Sequence, residues 1–219
     1  MPKLTRDADV FVLDLGDDEN RFHPDWLSEV GAALDEVERA EPRALVTTAT
    51  GKFFSNGLDL EWLGRHGDQL ASYIGDVQAL LARVLEFPAP TVAAIQGHAF
   101  AAGAMLALAH DFRVMRADRG FFCLPEVDIN LPFAPGMSAL VQHKLTPAAA
   151  LEAMTTGRRF GGTDAAAAGV VDAAVAEAEV LATAVAKVRP LAGKNPSTLG
   201  AIKAGMYADT LRRLREPMA

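Results

Sequence analysis

The sequence predicts an α/β fold, on three observations. Short runs rich in β-branched residues alternate with longer segments of helical periodicity, the layout of strands joined by crossover connections. Prolines sit at the junctions, with Pro24 placed to open a helix and "PAP" after Phe87 placed to close one. With 219 residues, 50% of them hydrophobic and 22% charged, the chain has the length and balance to bury one substantial core.

Val10 to Leu15 reads as a strand. After an acidic turn, Pro24 opens a helix that runs to about Arg39, with Leu27, Val30, Leu34 and Val37 on one stripe that should face the sheet. Ala44 to Thr48 is the next strand, Asp68 to Phe87 a long helix, and Thr91 to Ile95 a third strand. The stretch "GHAFAAGAMLALAHDF", Gly97 to Phe112, is almost wholly apolar, and a helix should begin within it at Ala-Ala-Gly. Phe112 to Ala117 and Gly120 to Leu124 read as strands. From Gly136 onward the patterns are mainly helical apart from a short "GVVD", and the last helix runs from Pro196 to about Leu214. The expected division is a sheet-containing core over 1–145 and a C-terminal helical region over 146–219.

Composition narrows the function. A net charge of −7 gives no broad electrostatic footprint for nucleic acid or an anionic membrane. The longest apolar run, Ala99 to Ala109, is too short to span a bilayer. The opening "MPKLTRDADVFVLDLG" lacks a signal-peptide pattern, and the single cysteine, Cys123, leaves no intrachain disulfide; the expectation is a cytoplasmic protein. There is no P-loop, no G-x-G-x-x-G after a strand, no H-E-x-x-H and no pair of C-x-x-C clusters. "GMSAL" misses the final glycine of a hydrolase elbow. His23, His66, His98, His110 and His143 show no metal spacing, so no metal is expected. Cys123, at the end of an apolar strand, reads as a small core residue.

Three separated segments carry chemistry together. In "GKFFSNGLDL", Gly51 to Leu60, a strand ends in a loop whose Ser55, Asn56 and Gly57 can turn tightly before a helix; an ordinary loop is the alternative reading. In the second, Ala101, Ala102 and Gly103 leave backbone N–H groups uncovered at a helix N-terminus, where the dipole favours negative charge. Close helix packing would account for the same residues. In the third, "FFCLPEVDINL", Glu126 follows a strand and Pro125 within apolar surroundings; a solvent-facing glutamate is the alternative.

Taken together these segments resemble the crotonase superfamily, the enoyl-CoA hydratases and isomerases. The resemblance runs from the "NRF" loop at Asn20 through "TGRRFGGTDAAAAGVVD" and "KNPSTLGAIKA", nearly the whole chain. It implies a crotonase-like core of repeated ββα units with a C-terminal helical region, and a homotrimer or hexamer. It also implies an oxyanion hole for a CoA thioester carbonyl, built from two peptide N–H groups that by position are those of Ser55 and Ala102; Ser55 would act through its N–H and not its hydroxyl. Small side chains there let the thioester approach the backbone.

Hydratases that resemble this sequence use two carboxylates, and the first of those positions is Met105 here, while the second matches Glu126. A single glutamate is what resembling Δ3,Δ2-enoyl-CoA isomerases use to carry a proton from C2 to C4. The resemblance therefore implies double-bond migration in a 3-enoyl-CoA, as in fatty acid oxidation, with coenzyme A as part of the substrate and no separate cofactor. An enoyl-CoA hydratase, an acyl-CoA thioester hydrolase and a noncatalytic acyl-CoA-binding protein stay open as alternatives. Arg21, Phe22 and Lys52 are the candidates for CoA contacts, although Phe22 could simply staple the helix opened by Pro24. Asp59 is expected to hold its loop through hydrogen bonds, and Asp128 and Asn130 are open.

Overall fold

Residues 1–217 are described by the computed structural model. In chain order, β1 (Lys3–Asp7), β2 (Val10–Asp14) and α1 (Pro24–Arg39) precede β3 (Ala44–Thr48), β4 (Phe53–Ser55), α2 (Leu60–Arg65) and α3 (Leu70–Leu85). Next come β5 (Thr91–Ile95), β6 (His98–Phe100), α4 (Ala102–Ala109), β7 (Phe112–Arg116) and β8 (Phe122–Cys123). The rest is α5 (Pro135–Lys144), α6 (Pro147–Thr156), α7 (Gly162–Ala167), β9 (Ala173–Val175), α8 (Val180–Val188), α9 (Pro196–Met206) and α10 (Ala208–Arg215).

The strands divide between two sheets in a regular way. A six-stranded sheet has the order β1-β2-β3-β5-β7-β9, parallel except for the antiparallel β1–β2 pair. A three-stranded parallel sheet has the order β4-β6-β8. Each of three successive units therefore sends its first strand to the large sheet and its second to the small one. This is the repeated ββα core of a crotonase-like fold.

Period-two alternation explains the coverage of the large sheet. Phe11, Leu13, Leu45, Ala93, Ile95 and Met115 face the main core, together with the α1 stripe of Val30, Leu34 and Val37. Their neighbours Val10, Ala44, Val46, Val92, Ala94 and Val114 face the other way, against Val180, Ala184 and Val188 of α8. With both faces covered, β3 and β5 are buried along their full length, as parallel strands flanked by helices must be. All eight residues of α4 are buried, so this helix needs no polar side.

The C-terminal segments are built into the core. β9 pairs with β7 and adds a sixth strand from residues beyond 145, so the large sheet crosses the expected division. α10 packs on α3 and α5. In α9, the buried Lys203 ammonium donates to the carbonyls of Phe87 at 3.0 Å and Ala89 at 2.8 Å and pairs with Asp111 at 2.6 Å. Beside it His110 is fully buried, with Nδ1 2.8 Å from the Leu106 carbonyl and Nε2 2.8 Å from the Thr47 hydroxyl. Burial pushes its pKa down to about 4, so this imidazole is neutral.

Candidate active site

The small sheet delivers the three segments to one place. Its strands are parallel, so their carboxyl ends share one edge: β4 ends at Ser55, β6 at Phe100 just before Ala101 and Ala102, and β8 at Cys123 just before Leu124, Pro125 and Glu126. Carboxyl ends of parallel strands are where open α/β sheets bind ligands.

At the first end, the Ser55 side chain is fully buried and its hydroxyl is consumed by the backbone. Oγ donates to the Asn20 carbonyl at 2.8 Å and accepts from the Gly57 N–H at 3.1 Å. Asn20 in turn donates through Nδ2 to the carbonyls of Phe53 and Phe54, both at 3.1 Å, and of Gly16 at 3.3 Å. The loop before α1 and the loop after β4 are thus zipped together, with Asn56 N–H on the Glu19 carbonyl and Phe22 N–H on the Gly57 carbonyl.

At the second end, α4 begins against this loop. A Cβ on Gly103 would lie 2.4 Å from the Ser55 carbonyl oxygen and 2.7 Å from the Ser55 Cβ, so only glycine lets the helix come this close. Gly57, at φ +78°, is close as well: a Cβ there would be 2.9 Å from the Phe100 carbonyl oxygen and 3.0 Å from the Ala102 nitrogen. Ala101 precedes the helix at φ +50° and ψ −125°, an uncommon conformation for a residue with a Cβ, and its N–H donates to the Cys123 carbonyl at 3.0 Å. No side chain caps α4, and the Ala102 N–H finds no protein acceptor among the described residues. Close packing at Gly103 and a peptide N–H of Ala102 without an acceptor among the described residues thus occur side by side at this helix start.

At the third end, a short 3-10 turn carries Glu126. Its side chain is 5% exposed, and Oε2 has no hydrogen-bond partner among the described residues. Burial pushes its pKa up to about 7, only partly offset by a hydrogen bond from its own backbone N–H. The carboxyl is therefore balanced between acid and base near neutrality, as proton transfer requires.

Between these pieces lies a cavity of about 220 Å³ lined by Glu126, Pro125, Ala101, Ala102 and Phe100, with Leu58, Leu60, Ile129 and Leu131 as aliphatic wall and Arg21 and Asn56 as further polar groups. A carboxylate, an uncapped helix start and an apolar wall suit abstraction of a proton beside a carbonyl whose oxygen gains charge.

The sequence model of enoyl-CoA hydratase/isomerase matches residues 5–219. The chain belongs to the enoyl-CoA hydratase/isomerase family. It is 41% identical over 189 residues to the peroxisomal enoyl-CoA delta isomerase 2 of Arabidopsis thaliana, covering 82% of this chain and 79% of the relative. It is 39% identical over 225 residues to enoyl-CoA delta isomerase 3 of the same plant, covering 97% and 94%. The crystal structure of human mitochondrial delta3-delta2-enoyl-CoA isomerase superposes with a TM-score of 0.90 at 26% identity, covering 97% of this chain and 85% of that one.

Within this enoyl-CoA hydratase/isomerase fold, the other expected residues fall in different places. Arg21 lines the cavity and is paired with Glu19. Phe22 does not: its ring is fully buried and stacked on Trp26, with centroids 4.8 Å apart, because the loop ahead of α1 turns it into the core. The expected CoA contact by Phe22 is corrected to a core anchor at the helix start. Lys52 is exposed, outside the cavity lining, with its ammonium 5.2 Å from the centre of the Phe53 ring. Met105 sits in the core behind the cavity wall. Asp59 caps α2 by accepting from the Trp62 N–H at 2.9 Å. Asp128 lies beside Gly157, whose added Cβ would meet Oδ2 at 2.4 Å, and does not line the cavity; Asn130 is exposed at φ +54°. The Cys123 thiol donates to the Gly157 carbonyl at 3.3 Å, and burial pushes its pKa up to about 11, which suits a packing residue. Among the described residues no cluster of three potential metal ligands occurs.

Sequence reasoning overlooked Asn20 as the clamp and Asn56, Ile129 and Leu131 as wall. Asn20 carried one signal, since asparagine is among the few residues that tolerate the positive φ of +50° found there.

Proposed function

We propose that this protein moves the double bond of a 3-enoyl-CoA to the trans-2 position, and one observation carries the reading: Glu126 is the one carboxylate among the described residues that line the cavity. As carboxylate it takes a proton from C2. The C2–H electrons become the C1–C2 double bond as the carbonyl π electrons move onto the thioester oxygen, giving a dienolate conjugated with the C3–C4 double bond. The Ser55 and Ala102 N–H groups hold that oxygen, the second with the help of the α4 dipole. The protonated Glu126 then returns the proton to C4, which restores the thioester carbonyl and leaves the double bond between C2 and C3. No net proton, electron or water is exchanged, so the step needs no resident cofactor.

Hydration would call for a second acid or base beside a water, and the position at 105 holds a thioether packed in the core. The identities to enoyl-CoA delta isomerases support the same reaction. Arg21, which lines the cavity, would meet the polar part of coenzyme A, and the exposed Lys52 would be a further contact. A role in fatty acid oxidation, assembly as a trimer or hexamer and a cytoplasmic setting complete the proposal, on the family resemblance and the lone cysteine.

The test is a purified protein supplied with 3-enoyl-CoA and followed by the rise of the conjugated 2-enoyl thioester. Glu126→Gln should lower turnover by at least about a hundredfold while acyl-CoA binding persists. Full activity in that variant would overturn the assignment, and release of free thiol would replace it with hydrolysis.

A further inference from the structure

Three aliphatic side chains of the cavity wall are also on the surface. Leu60 is 49% exposed, Ile129 48% and Leu131 41%. They come from two segments far apart in sequence, the first residue of α2 and the loop after Glu126, and meet only at this cavity. Leu60 has no role in the core, since α2 buries none of its residues. Ile129 and Leu131 are tied to the carboxylate's own turn: the Ile129 N–H donates to the Pro125 carbonyl at 3.1 Å and the Leu131 N–H to the Glu126 carbonyl at 3.0 Å. Their placement therefore follows that of Glu126.

We propose that this rim is the exit path of an apolar acyl tail without polar substituents, so that the substrate class is medium- to long-chain acyl-CoA; this rests on the acyl-CoA reading above. An apolar wall that continues from a cavity onto the surface marks a place where an apolar ligand is covered. A two- or four-carbon group would be used up near Glu126 and leave the rim in water. Each further methylene laid on the rim removes apolar area from water on both partners, up to about a fourfold gain in affinity per methylene when fully covered. Apart from Glu126, the polar lining residues are Arg21 and Asn56, and the rim itself offers no partner to a hydroxyl or carboxyl on the tail.

Isothermal titration with butanoyl-, hexanoyl- and octanoyl-CoA, which lack the reactive double bond, reads the inference without turnover. From four to eight carbons the dissociation constant should fall by at least about tenfold, and the paired variant Ile129→Ser, Leu131→Ser should cut that ratio by about fivefold. Both residues are exposed, and an unchanged melting temperature checks that the variant folds. A flat series in the wild type overturns the proposal. So does a ratio that the variant leaves intact, or a flat series with a particle mass that drops on substitution, which would assign the rim to contacts between copies. A steep series without any double-bond shift keeps this inference and sinks the isomerase reading instead.

Discussion

The Ser55 hydroxyl donates to the Asn20 carbonyl at 2.8 Å, one of several bonds that fasten the β4 strand end to the loop before α1. Since the hydroxyl is used in this way, the oxyanion contact proposed for Ser55 would run through its peptide N–H. Ser55→Ala should lose about 1 to 3 kcal/mol of stability, because the buried Gly57 N–H loses its acceptor, yet keep turnover within about tenfold. Denaturant unfolding and steady-state kinetics on the same preparation check the pair of outcomes. A collapse of turnover at unchanged stability would point to the hydroxyl as a reacting group.

Glu126 should impose a pH dependence. Its folded pKa of about 7 lies above its unfolded value, so the neutral acid is favoured in the fold. Its contribution to stability is complete below about pH 4.5 and is lost as pH rises through about 7. Activity should run the other way, because in the proposed mechanism the carboxylate is the base. kcat/KM should rise tenfold per pH unit below about 7 and level off above it. A profile that stays flat from pH 5.5 to 8 would remove Glu126 from the proton transfer.

Gly103→Ala tests how tightly α4 seats on Ser55. The new methyl would meet the Ser55 carbonyl oxygen at 2.4 Å, and backbone on both sides must shift. A loss of about 1 to 3 kcal/mol is expected, as in other overpacked cores, together with a fall in kcat as the two peptide donors separate. Thermal melting and kinetics report the two parts. Wild-type values for both would mean that the helix start has room to spare.

For Phe22, the expectation is stability and not ligand affinity. Phe22→Ala removes a fully buried ring stacked on Trp26 and should cost about 3 to 5 kcal/mol. At a temperature where the variant is folded, acyl-CoA binding should change less than threefold by titration calorimetry. A large loss of binding with little loss of stability would return Phe22 to the site.

His110 sets an acid limit. Its pKa in the fold, about 4, lies below the unfolded value near 6.5, so the unfolded chain binds the proton first. Stability should be flat in this residue's contribution above pH 6.5 and decline between 6.5 and 4, by something on the order of 3 kcal/mol. Thermal melts across that window should show the decline, and His110→Gln should blunt it.

Strands β2, β3, β5 and β7 of the large sheet were legible in the sequence because each is a five-residue run rich in β-branched and other apolar residues, as in "ALVTT" and "TVAAI". The α1 stripe was legible because its period is sustained from Leu27 through Val30 and Leu34 to Val37, about three turns of the helix. β6 was not, since three residues are too few for any period to repeat and the apolar stretch around it was read for its helix; β4 was read only as a strand ending at the Ser55 loop, without bounds. β1, "KLTRD", is mostly exposed at a sheet edge and so lacks the apolar alternation of an inner strand. Of the site, Ser55, Ala102 and Glu126 stood out through resemblance and through small or charged residues in apolar surroundings. Phe22 was misplaced because an aromatic beside a loop arginine gives no sign of which way the ring turns. Ile129 and Leu131 were unreadable because their role depends on a meeting with Leu60, 69 and 71 positions away in the chain.

Each end of the small sheet belongs to a different ββα unit, and each is anchored by its own partner in the large sheet. The three segments can thus be edited one at a time: replacing the turn that bears Glu126 leaves the units carrying Ser55 and Ala102 with their strands still paired. With the roles proposed above, such a scaffold would separate the polarising of a carbonyl, shared by two units, from the choice of what attacks or leaves beside it, which would rest with the third. New reactions on the same thioester can then arise from changes within about ten residues, without refolding the rest.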